Sequence, residues 1–68
     1  MKVLFRTNLD GYGYGSFPEN ITQPPRKGDF VAVKEGMGEY YIKKGMLAVL
    51  RVVSVTWTDR GVVVELNK

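Results

Sequence analysis

The last third of the chain leaves little freedom of fold. Met46-Leu47-Ala48-Val49-Leu50-Arg51-Val52-Val53-Ser54-Val55-Thr56-Trp57 is dominated by β-branched and aromatic residues, which fit a pleated, half-buried surface better than a helix. It reads as one long strand. Thr58-Asp59-Arg60-Gly61 fits a tight turn ending in glycine, and Val62-Val63-Val64-Glu65-Leu66 returns as the hairpin partner. A period of two sends Val62, Val64 and Leu66 to the core and Glu65 to water. The alternation in the long strand changes phase near Val52-Val53, because an unbroken strand would set Arg51 on one face with Val53, Val55 and Trp57. One extra residue there, a β-bulge, resolves the conflict. Trp57 is the single tryptophan; in so short a chain it is expected in the core, with an exposed anchor for a protein partner as the alternative.

The same pattern recurs upstream in shorter pieces. Val3 and Phe5 alternate with Lys2 and Arg6 and predict a first strand near residues 2–7. Lys27-Gly28-Asp29 is a turn that feeds Phe30-Val31-Ala32-Val33-Lys34. Gly36-Met37-Gly38 breaks that run, Glu39-Tyr40-Tyr41-Ile42-Lys43 reads as another short strand, and Lys44-Gly45 as a tight turn. The expectation is an all-β domain: five strands in one strongly bent antiparallel sheet or partly open barrel, with no substantial helix. Closure removes the sheet edges that a flat meander would expose. All 68 residues form one domain, of a size that buries only about 60% of its unfolded surface.

What the chain lacks restricts its chemistry. It has no cysteine and no histidine. That removes disulfides, thiolate and imidazole metal sites, Ser–His–Asp and Cys–His nucleophiles, and imidazole acid–base catalysis. Asp10, Glu19, Asp29, Glu35, Glu39, Asp59 and Glu65 are scattered, with no tight pair to hold a hard cation. No catalytic residue, metal ligand or cofactor site is expected, and the chain reads as a non-enzyme without a small-molecule substrate. A net charge of +3 permits an anionic partner without requiring one. No apolar run approaches the roughly 18 residues of a membrane span. Met1-Lys2-Val3-Leu4-Phe5-Arg6 is too short and too soon interrupted for a signal peptide. The expected location is therefore cytoplasmic.

Residues 8–28 form a long early loop, and structureless stretches of that length in a compact domain are usually functional. Its centre is Gly11-Tyr12-Gly13-Tyr14-Gly15-Ser16-Phe17. Two roles are open to these rings. They form a contact platform, or they fold over the end of an open barrel and close it. A short strand around Tyr12–Phe17 is an alternative to a loop. Pro24-Pro25 stiffens the approach to the second strand.

Two families resemble parts of the chain. Gly28-Asp29-Phe30-Val31-Ala32-Val33-Lys34-Glu35-Gly36 resembles the opening of a KOW motif, G-D-x-V-x-V-x-x-G, with Gly45 as a later glycine. Together with a strand, a long loop and a final tight hairpin, this resembles an SH3-like small barrel. That resemblance implies RNA, ribosomal or transcription partners. Gly11-Tyr12-Gly13-Tyr14 with Phe17 resembles the RNP1 signature of cold-shock and RRM proteins, in which aromatics stack on bases. Lys2-Val3-Leu4-Phe5 is similar to a cold-shock first strand on an OB barrel. Asp10 and Gly15 depart from that pattern, and no second aromatic motif follows. The glycine spacing matches neither a P-loop nor a dinucleotide fingerprint.

These readings converge on a small binding or adaptor module. Its expected contact groups are Tyr12, Tyr14 and Phe17, with Tyr40 and a basic flank of Arg26, Lys27, Lys43 and Lys44. A protein partner or self-association is the first expectation, because the charge is modest. Single-stranded RNA or DNA is the second.

Overall fold

The computed structural model describes residues 2–19 and 21–68. Four strands, Lys2–Thr7 (β1), Phe30–Ala32 (β2), Val49–Thr58 (β3) and Gly61–Asn67 (β4), form one curled, open sheet in the order β1-β4-β3-β2. The expected all-β half-barrel is present with four strands rather than five. β3 and β4 form the hairpin read from the sequence. The register shift between Val52 and Ser54 leaves Val53 as the extra residue, where the change of phase placed it. Gly61 closes the turn at φ 145°, a conformation that L side chains seldom adopt.

Two elements differ from expectation. Gly38–Lys43 is a short α-helix (α1), not a strand. Only Tyr41 of it is buried, while Tyr40 and Ile42 on either side are exposed. Met37 and Tyr41 sit four residues apart, and both pack on the core cluster. That is the spacing of a single helical face. Glu39 in its first turn and Lys43 in its last suit the helix dipole. Lys44-Gly45 ends this helix rather than turning a hairpin, with the Gly45 N–H donating to the Ile42 carbonyl at 3.0 Å. The second difference is that β1 pairs with β4 in parallel, Val3 beside Val62 and Phe5 beside Val64, so the sheet is mixed.

The parallel pair decides where the long loop goes. β1 and β2 run in the same direction at opposite edges of the sheet. The connection between them must return the length of the sheet and cross its width. It does so over the concave face, where Leu9, Tyr12, Phe17 and Ile21 pack against the core residues Phe5, Leu50, Val52, Val62, Val64 and Leu66. The loop thus supplies the second layer that a single sheet lacks. No described helix is long and apolar enough to cross a membrane.

Candidate functional site

The aromatic–glycine segment builds a stack of rings. Phe17 is 2% exposed, and its ring lies 5.9 Å from that of Phe5 and 6.1 Å from that of Tyr12. Tyr12 stacks on Tyr41 of α1 at 5.0 Å, and Tyr40 meets Tyr41 edge-on at 5.4 Å. These separations and angles are those of favourable aromatic pairs. Polar groups lock the stack. The Tyr12 hydroxyl donates to the Leu47 carbonyl at 2.6 Å, and the buried Ser16 and Tyr41 hydroxyls share a hydrogen bond. A 3-10 turn, Tyr14–Ser16, shapes the segment, with the Ser16 N–H on the Gly13 carbonyl at 3.0 Å. The Ser16 carbonyl accepts from the Lys34 N–H at 2.7 Å and so fastens the loop to the chain beyond β2. Tyr12 and Phe17 therefore serve the core. The side chain of Tyr14 lies outside what the structure describes.

The expected basic flank is divided between two elements. Tyr40, Lys43 and Lys44 belong to α1 and its end, which leads into the start of β3. There Lys44 Nζ sits 4.5 Å over the exposed Tyr40 ring. Arg26 and Lys27 lie toward the far end of β3, in a turn whose Asp29 N–H donates to the Arg26 carbonyl at 3.0 Å. The Asp29 carboxylate accepts the Arg26 N–H at 2.8 Å. Gly28, at φ 95°, allows this turn. Its N–H then docks on the Val52 carbonyl at 2.9 Å, which sets Arg26 and Lys27 beside the second half of β3.

That half of β3 carries the residue whose placement differs most from expectation. Trp57 is 66% exposed rather than in the core. The register sets Trp57 beside Val62 and Val55 beside Val64, on the face that holds the core. Leu9, Tyr12, Phe17 and Ile21 of the loop pack on the core, whereas its last stretch, Pro24 to Lys27, borders Trp57 without burying it. Trp57, Val55, Pro24, Pro25, Arg26 and Lys27 line an open cleft of about 560 Å³. No acidic residue lines it. The two ion pairs among the described residues, Arg6–Glu65 and Lys34–Glu19, leave Arg26 and Lys27 out. Phe30 is also exposed, but its partner across the sheet is Arg51 on the opposite, solvent-facing side.

The sequence held one signal for this site. Pro24, Pro25, Arg26 and Lys27 form a stiff basic segment, yet nothing local in the chain tells that it returns beside Trp57. Among the described residues no cluster of acids is placed to hold a metal ion. Comparison with family models, curated proteins and solved structures finds no match to the chain.

Proposed function

We propose that this chain is a non-enzymatic binding module that engages a protein partner through the uncovered end of its sheet. Trp57 is the central contact, Val55 its apolar neighbour, and Arg26 and Lys27 the charged flank. The observation that carries this reading is an indole left open on the core-bearing face of the sheet. A domain short of buried area would gain most by covering its largest side chain. Tryptophan and arginine are also the residues that most often dominate binding energy at interfaces. Tyr40, Lys43 and Lys44 lie on α1 and its end and line no part of this cleft. The test is to pan the purified chain against a random peptide display library. Enriched peptides are expected to lose about thirtyfold in affinity on Trp57→Ala, as removal of an interface tryptophan typically causes, and to bind Tyr40→Ala normally. Peptides indifferent to Trp57→Ala contradict the assignment.

A second reading, single-stranded nucleic acid, is favoured by the two cations beside an exposed ring, and the resemblance of Gly28–Gly36 to a KOW opening supports it. It requires oligonucleotide binding that weakens steeply with salt. No binding at low salt removes it.

A further inference from the structure

The backbone beside Trp57 carries information that the side chain alone does not. In an antiparallel pair, successive residues alternate between bonding to the neighbour strand and pointing away from it. The two-residue turn closes on the pair Thr58 and Gly61, which fixes that phase. Thr58, Thr56 and Ser54 bond to β4, while Trp57 and Val55 turn their N–H and C=O groups outward. Beyond the bulge, Val52 also points outward, and its N–H and C=O are taken by Asp29 and Gly28 at 2.8 and 2.9 Å. β2 pairs only with Val49, Leu50 and Arg51. From Val55 to Trp57 the outward groups find no hydrogen-bond partner among the described residues. The free backbone edge and the exposed indole therefore coincide, with Arg26 and Lys27 next to both.

Building on Trp57 as the contact residue, the geometry points to β-strand addition: an extended acidic peptide pairs with the free edge of β3 at Val55 and Trp57. Four main-chain hydrogen bonds become available, the mode by which exposed sheet edges capture peptides. Apolar side chains of the added strand would lie against Trp57 and Val55. Acidic ones would meet Arg26 and Lys27, whose side chains form no ion pair among the described residues, the neighbouring Asp29 carboxylate being held on the Arg26 N–H. Of the other two edges, that of β1 runs beside Phe17, Pro18 and Glu19 and bears no exposed aromatic ring, while that of β2 is three residues long and its exposed Phe30 lies on the face away from the core.

The probe is a capped synthetic peptide of alternating glutamate and valine, with its lysine–valine counterpart as control. The readout is amide exchange of the 68-residue chain, followed residue by residue. The glutamate peptide is expected to slow exchange at Val55 and Trp57 roughly tenfold or more, and to leave Thr56, already bonded to β4, unchanged. A variant with an ester in place of the Trp57 amide keeps the indole and every N–H of the hairpin ladder, weakens only the Thr56 carbonyl as an acceptor, and lacks the outward N–H. It should bind the peptide roughly tenfold more weakly. If Trp57→Ala abolishes binding while the ester variant binds normally and the two amides gain no protection, strand addition is overturned and the Trp57 contact stands. If Trp57→Ala has no effect, both fall. Equal protection by the lysine peptide overturns the acidic partner. Protection that grows with protein concentration alone, or with an oligothymidylate, assigns the edge to a second copy or to nucleic acid and overturns the proposal.

Discussion

The two ends of the concave face are built from similar residues and put them to opposite use. At one end Tyr12, Phe17, Tyr41 and Phe5 stack into a closed core, each ring covered by the next. At the other, Trp57 stands on the same face with its ring in water. The difference is not hydrophobicity, since tryptophan would profit from burial as much as phenylalanine. It is the reach of the covering layer. In the loop from β1 to β2, Leu9, Tyr12, Phe17 and Ile21 pack onto the core, whereas Pro24 to Lys27 only border Trp57. An aromatic residue becomes core or surface here according to whether a second layer arrives above it.

Substitutions probe this contrast. Phe17→Ala removes the ring that joins loop to sheet and is expected to cost about 3–5 kcal/mol, a large share of the stability of so small a domain. Urea denaturation measures it, and a loss below about 1 kcal/mol would mean the loop is not the second layer. Gly61→Ala forces a side chain into φ 145° and against the Lys2 carbonyl on β1. A cost of about 1–3 kcal/mol follows, together with faster exchange of the β1 amides; unchanged exchange would show the hairpin and β1 to be uncoupled. Tyr12→Phe keeps the stack but deletes the bond to Leu47, and should cost about 0.5–1.5 kcal/mol. Trp57→Ala should change stability by less than about 0.5 kcal/mol, the smallest effect of the four, although it removes the largest side chain.

Much of this architecture was legible in the chain. The β3–β4 hairpin, the bulge at Val53 and the inward set Val62, Val64 and Leu66 follow from alternation and turn chemistry within some twenty residues, where every determinant is local. Helix α1 is hidden in the chain, because Tyr40, Tyr41 and Ile42 have strand propensity and the spacing of Met37 and Tyr41 is the only helical signal. The parallel pairing of β1 with β4 was equally hidden. It depends on the route of the long loop, which no strand records. The exposure of Trp57 follows from that same route. From sequence, Trp57 favours the core over an exposed anchor, and Tyr12 and Phe17 stand between core and contact. The structure instead places Tyr12 and Phe17 in the stack and leaves Trp57 open.

Trp57 is the only tryptophan, so its fluorescence reports on one site without ambiguity. In the free chain its emission should match that of an exposed indole, and acrylamide should quench it nearly as well as it quenches N-acetyltryptophanamide. Emission shifted to the blue and shielded from acrylamide, in a monomeric sample without ligand, would place Trp57 in the core and contradict the division of the sheet on which the binding surface rests.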